Sequence, residues 1–217
     1  MALDLCSPIY MTMIEERVCD PFHYSAAAET SLNADEEIFL NDIWTVYFHD
    51  PFDSDWTNKS YHKIGDISTI NDFWNHIIGL GKNVQNGMFF IMREHIFPCW
   101  DDPENLKGGC MSLKVLKDEI QNFWGHLAMQ LVSESLLKEE HRETLWNKIN
   151  GISVSPKKNF CIVKIWVADC KAGDAEKYDI LKVYHGDIMF KSNQESIELD
   201  TEKILHNVAP ALPQTPQ

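Results

Sequence analysis

The sequence predicts an α+β fold with an antiparallel sheet, on three observations. Segments of helical periodicity are separated by several strand-like segments rather than by one each, which argues against a doubly wound parallel sheet. The strand-like segments are short and rich in aromatic and β-branched residues. Apolar residues make up 44% and charged residues 24% of 217 residues. A chain of that length buries roughly 70% of its unfolded surface and needs no disulfide or metal staples.

Trp44-Thr-Val-Tyr-Phe-His49 alternates and reads as the first strand. Thr69-x-x-Asp72 resembles a capping box, with Asp in place of the usual Glu or Gln. It opens a helix with Ile70, Phe73, Trp74, Ile77 and Ile78 at helical spacing, ended by Gly79 and Gly81. Gly87 to Met92 reads as a buried strand, and Met111, Leu113 and Val115 alternate with Ser112 and Lys114 as another. Asp118-x-x-Gln121 opens the clearest helix, where Ile120, Phe123, Trp124, Leu127, Ala128, Leu131 and Val132 hold the 3.6-residue period. Phe160 to Val167 is a strand with Cys161, Val163, Ile165 and Val167 toward the core and Phe160, Ile162, Lys164 and Trp166 on the other face. A third helix is expected over about Asp174 to Asp187, from Ala175, Tyr178, Leu181 and Tyr184 or His185.

Residues 1–35 are acidic and aperiodic and are expected to form a partly disordered or loosely docked extension. Residues 36–206 are the expected folded domain, and 207–217 a proline-rich tail. No apolar run approaches the ~20 residues of a membrane span, and the start lacks a basic and apolar leader, so a cytoplasmic location is expected with no membrane. The six cysteines form no C-x-x-C pair and no zinc spacing, so neither metal nor cofactor is implied. Nucleotide-binding glycine loops, H-E-x-x-H and G-x-S-x-G are missing from the sequence, which does not read as an enzyme. A net charge of −14 disfavours a broad grip on a nucleic-acid duplex. That charge is uneven: residues 1–42 hold nine acids and one base, whereas Gly151 to Ala168 holds Lys157, Lys158 and Lys164 and no acid. A small, partly cationic ligand suits this balance better than a duplex.

Seven tryptophans point to such a ligand. Trp56 lies in the polar loop Asp50-Pro-Phe-Asp-Ser-Asp-Trp-Thr-Asn58, and Trp100 in Pro98-Cys-Trp-Asp-Asp-Pro103 with two carboxylates directly behind it. Trp166 shares a strand face with Lys164, away from the aliphatic set. An indole on a polar loop presents an electron-rich face that attracts cations and stacks on bases.

Trp44, Trp56, Asp72-Phe73-Trp74, Pro98-Cys-Trp-Asp101, Gly108-Gly109, Phe123-Trp124, Ile165-Trp166 and Cys170, in this order and at these spacings, resemble the eukaryotic translation initiation factor 4E family from about Ile38 to Tyr184. The resemblance implies a strongly curved antiparallel sheet of about eight strands with three main helices on its convex face. It also implies binding of the 7-methylguanosine cap of mRNA by a monomer that recruits a scaffold to start translation. Trp56 and Trp100 match the tryptophans that sandwich the methylated guanine, whose positive charge adds a cation–π contribution of ~0.5–2 kcal/mol per face. Asp101 stands where the family has a Glu that reads the guanine edge, and Trp166 matches the residue at the added methyl. Lys157 falls at a phosphate-binding Arg; the family's phosphate-binding Lys aligns with Ile162, so Lys164, on the same strand face, is the proposed substitute and Lys158 a further candidate. Met111 reads as a core replacement for a family Trp, and about six extra residues between Glu134 and Gly151, Trp146 among them, match no family role.

On the helical side Trp74 and Ile70 match the surface that initiation factor 4G-like scaffolds and 4E-binding regulators occupy, with Phe39 in the entry segment. Gly125-His126 replaces a Leu-Glu that contacts the partner, so the partner's usual charged contact meets a histidine. Two other readings stay open: a cap-binding repressor of the same fold, and a protein–protein module that has lost the ligand.

Overall fold

The computed structural model describes residues 37–182 and 184–208. The extension expected over 1–35 and the tail beyond Val208 lie outside them.

Seven strands form one sheet, each paired antiparallel with its neighbours. They are β1 (Phe39–His49), β2 (Tyr61–Thr69), β3 (Met88–Arg93), β4 (Gly109–Leu116), β5 (Ile149–Pro156), β6 (Phe160–Val167) and β7 (Ile188–Ser192), in the order β2-β1-β3-β5-β6-β4-β7. The helices are α1 (Ile70–Leu80), α2 (Ile120–Val132), α3 (Glu139–Leu145) and α4 (Asn193–Val208). The α+β class therefore holds, with seven strands among the described residues in place of about eight. β2, β5 and β7 add to the strands that the sequence predicts.

Register shifts at Phe39/Trp44 and Val46/Tyr47 in β1 and at Ile149/Gly151 in β5 mark the bulges of the curved sheet. One face carries the main core. There Trp44, Val46, Ile91, Ile152, Val163, Ile165, Met111 and Leu113 pack with Phe73 of α1 and with Trp124, Leu127 and Leu131 of α2. Met111 is thus a core residue, as read. The opposite face holds a smaller cluster of Phe90, Met92, Ile96, Cys110 and Trp166.

Helix α1 starts as its sequence dictates. Thr69 Oγ1 accepts the Asp72 N–H at 3.1 Å, and Asp72 Oδ2 accepts the Thr69 N–H at 3.0 Å. Gly81 ends it at φ 44°, a left-handed conformation that favours glycine, while Gly79 stays inside the helix. The cap read at Asp118 does not form: α2 begins at Ile120 behind Glu119, whose side chain makes no capping bond.

The third helix expected over 174–187 is not a helix. It is a pair of short 3₁₀ turns, Ala175–Lys177 and Asp179–Lys182. Asp174 closes the first by accepting the Glu176 N–H at 3.1 Å. Tyr178 then bridges Leu137 and donates its hydroxyl to the Ala172 carbonyl at 2.6 Å, which pins the chain before an α-helical turn can propagate.

The extra residues around Trp146 dock through a cation. Arg93, at the end of β3, lies 4.9 Å from the Trp44 ring and 5.4 Å from the Trp146 ring. It donates to the Ile149 and Trp146 carbonyls at 2.7 and 3.0 Å and pairs with Asp42. Trp146 Nε1 donates to the same carboxylate at 3.0 Å.

Candidate functional site

Two loops of different construction meet at one end of the sheet. The first, residues 50–57 between β1 and β2, is acidic and is held by three consecutive side-chain turns. Asp50 accepts from Phe52 N–H at 2.9 Å, Asp53 from Asp55 N–H at 2.8 Å and Asp55 from Thr57 N–H at 2.8 Å. The last bond holds the Asp55 carboxyl below the usual carboxylate range. Trp56 projects from this loop with 55% of its surface exposed. Its ring lies flat on His49, with centroids 4.2 Å apart and planes 6° from parallel.

The second loop, residues 94–108 between β3 and β4, is braced from within. Asp102 accepts the N–H groups of Phe97 at 3.0 Å and Glu104 at 2.9 Å. The buried Asn105 amide donates to the carbonyls of Phe97 and Cys99 at 3.0 and 2.8 Å, bracketing the turn that carries Trp100 and Asp101. Gly108 closes the loop against β6, where a Cβ would stand 1.7 Å from the Val167 carbonyl oxygen. Burial, reinforced by a hydrogen bond to Asp101, pushes the Cys99 thiol up to about 12. Burial likewise pushes the Tyr61 hydroxyl to about 12.

Between the loops lies an open cleft of about 680 Å³, lined by Asp55, Trp56, Thr57, Lys59, Cys99 and Asp101. The structure thus brings Trp56 and Asp101 to one cleft. Trp100 is not part of its lining: half-buried, it packs on the open-face cluster, with the Lys164 ammonium 5.6 Å from its ring centroid. Trp166 does share a face with Lys164, whose ammonium stands 6.0 Å from its ring. Trp166 is 3% exposed beneath the same cluster against which Trp100 packs, and its Nε1 donates to Ser153 Oγ at 2.9 Å. Lys157 and Lys158 are exposed in the turn between β5 and β6.

On the helical side, Ile70, Trp74 and Ile78 recur every four residues along α1 and are all exposed, Trp74 by 44%. Phe39 stands opposite Thr69, and Ile38 accepts the Ile70 N–H at 3.0 Å, so the entry segment joins the same stripe. Phe73 and Leu80 fill the core side of the helix and leave Trp74 on the surface. Gly125 is half-buried facing Ile77, and His126 lines a separate polar cleft with Phe123 and Tyr184. Sequence reasoning missed His49. The period of two that places Tyr47 on the open face places His49 there too, one residue before the Trp56 loop.

The comparisons follow this geometry. Among curated proteins, barley eukaryotic translation initiation factor 4E-1 is 29% identical over 58% of this chain and 59% of its own length. The Xenopus laevis factor 4E is 26% identical over 63% of this chain and 64% of its length, and that of Candida albicans 28% over 60% and 65%. The chain therefore spans about three fifths of the length of these relatives. Among solved structures, C. elegans eIF4E-3 with the 4E-binding protein Mextli and cap analog superposes with a TM-score of 0.62 at 17% identity, covering 75% of this chain and 96% of that one. Ascaris suum eIF4E-3 with m7G cap gives 0.60 at 18% identity, over 83% and 97%. These two share the fold. With the family model for eukaryotic initiation factor 4E matching residues 39–206, the chain belongs to that family.

Proposed function

We propose that the chain binds the 7-methylguanosine cap of mRNA and presents the α1 stripe to a helical scaffold or regulator, acting in the cytoplasm as a binding protein without a catalytic step. The observation that carries this reading is the shared cleft of Trp56 and Asp101: an exposed indole face beside a carboxylate, on an otherwise acidic loop pair. A purine made cationic by methylation gains on the indole face over a neutral one, by ~0.5–2 kcal/mol. The Asp101 oxygens accept from the guanine N1–H and N2 amine, a charge-assisted pair of contacts worth ~1–3 kcal/mol of base discrimination. Trp100 supplies the second face by turning from the open-face cluster. Its departure frees the Lys164 ammonium now held beside it for the phosphates, with Lys157 and Lys158 further along, and Trp166 edges the methyl group. The solved relatives carrying cap ligands and a 4E-binding protein support both halves of the reading.

The test is tryptophan fluorescence on titration with 7-methyl-GTP and, separately, GTP. The methylated nucleotide is expected to bind at least about tenfold more tightly, and Trp100→Ala to abolish the difference. Equal quenching by both nucleotides overturns the proposal.

A further inference from the structure

Trp56 has few contacts that fix its ring. Its loop is tied by local aspartate turns and by the bond between His49 and the Asp55 carbonyl, more than half of its surface is exposed, and its aromatic neighbours are His49 and, edge-on at 6.5 Å, Tyr61. Trp56 lines the cleft, and because one face of its indole lies on His49, only the other is left for a ligand. His49 is itself fully buried. Its Nε2 lies 2.8 Å from the Asp55 carbonyl oxygen; since a carbonyl only accepts, Nε2 carries the proton and the neutral ring leaves Nδ1 as a lone pair. That Nδ1 is buried with no hydrogen-bond partner among the described residues. The ring is therefore both the platform that orients Trp56 and a group able to take one more proton.

We infer that His49 is a positioning residue for the Trp56 wall and that its protonation sets the affinity of the cleft for a cationic ring. The inference deepens the proposed function and rests on it. With a neutral imidazole behind it, the indole directs its electron-rich face to the ligand. With an imidazolium there, two cations lie on opposite faces of one indole, about 8 Å apart, and the platform repels what the wall should attract. The groups facing His49 offset this only in part. Tyr61 of β2, edge-on at 4.9 Å, stays protonated, and the residue opposite on β3 is Met88. The Asp55 carboxylate, in electrostatic reach of both His49 and Lys59, attracts the imidazolium but is fully exposed to solvent, which screens it. Asp101 lines the cleft and is present in every variant compared.

The charge on the imidazole is the variable, so the experiment is a pH series. The dissociation constant for 7-methyl-GTP is measured from pH 7.5 to 5.5 for the full chain, His49→Phe and His49→Ala. Titration of the nucleotide phosphates affects all three alike, so the ratio of wild type to H49F isolates His49. Wild type is expected to lose about tenfold more affinity than H49F on acidification, because phenylalanine keeps a stacking ring and takes no proton. H49A, checked for folding by circular dichroism, is expected to bind at least about fivefold more weakly than H49F at pH 7.5, having lost the platform. A second readout needs no ligand: Trp56 fluorescence, taken as the difference from Trp56→Phe, should fall as the imidazolium forms in wild type and stay level in H49F. Parallel pH profiles for wild type and H49F overturn the inference and leave cap binding standing. Failure of wild type to bind 7-methyl-GTP at any pH overturns both.

Discussion

Asn150 of β5 donates its amide to the Asn105 side-chain oxygen at 2.8 Å, and both side chains are buried. The pair extends in two directions. Asn150 also reaches the Glu104 carbonyl at 2.8 Å, and Asn193, the first residue of α4, donates to the Asn105 carbonyl at 2.7 Å. The loop of Trp100 and Asp101 is thus tied to the sheet and to the C-terminal helix by three asparagines, every one of them buried. Asn105→Ala strips partners from the Phe97 and Cys99 carbonyls and from Asn150 at once. A loss of about 2–4 kcal/mol is expected in urea unfolding, from unsatisfied groups costing ~1–3 kcal/mol each. A change under about 0.5 kcal/mol shows the network to be dispensable.

The Arg93 clamp gives the inserted segment a structural task separate from the cleft. Removing the Trp146 ring exposes one face of the guanidinium and leaves Asp42 with one partner fewer. Trp146→Ala should cost about 2–4 kcal/mol of stability, in the range of large aromatic truncations. The dissociation constant of the folded protein for 7-methyl-GTP should stay within about twofold, since the free-energy change at a remote site adds independently. Thermal unfolding and nucleotide titration of one preparation check both halves.

How far the sequence could be read follows from which physical signals are local. The strand Phe160–Val167 and the box at Thr69 and Asp72 are written in neighbouring residues, and both stand as read. The segment 174–187 misled because its apolar residues, Ala175, Tyr178, Leu181 and Tyr184, recur every three residues. That is the 3₁₀ period, and the chain follows it in short turns. β5 alternates Ile152 and Val154 with Ser153 and Ser155, a strand signal as local as that of Phe160–Val167. β2 carries little apolar alternation and forms because β1 pairs with it along its length. At the site, the tryptophans and Asp101 were visible as residues out of place in polar loops. What ordinary spacing could not show is depth: Trp166 lies in a packed cluster, and His49 meets Trp56 only when the sheet brings the Trp56 loop back over it.

The capping box makes stability depend on pH with a definite sign. Hydrogen bonds hold the Asp72 carboxyl below the usual carboxylate range, first that from the Ser68 N–H and then those from the Ser68 hydroxyl and Thr69. A carboxyl whose folded value is depressed stabilises the fold above the unfolded range, and that contribution disappears as the pH falls through the folded value. Asp72→Asn should therefore lower stability by about 1 kcal/mol at pH 7, with the difference from wild type closing between pH about 5 and 2. Urea midpoints at four pH values measure it; a difference that persists unchanged at pH 2 contradicts the assignment.

Trp74 separates the two faces of the molecule. Its ring is exposed and meets Phe73 edge-on at 5.1 Å, while Phe73 itself fills the core. Trp74→Ala should shift stability by no more than about 0.5 kcal/mol, as for other surface substitutions. Affinity for 7-methyl-GTP should be unaffected, because the Trp56 cleft lies on other elements. Binding of an amphipathic helical peptide of the scaffold type should weaken by at least about thirtyfold, as for an aromatic anchor worth ~2 kcal/mol or more. Titrating peptide and nucleotide separately against W74A and wild type distinguishes the outcomes. Loss of nucleotide binding in a folded W74A would show that the stripe and the cleft are not independent surfaces.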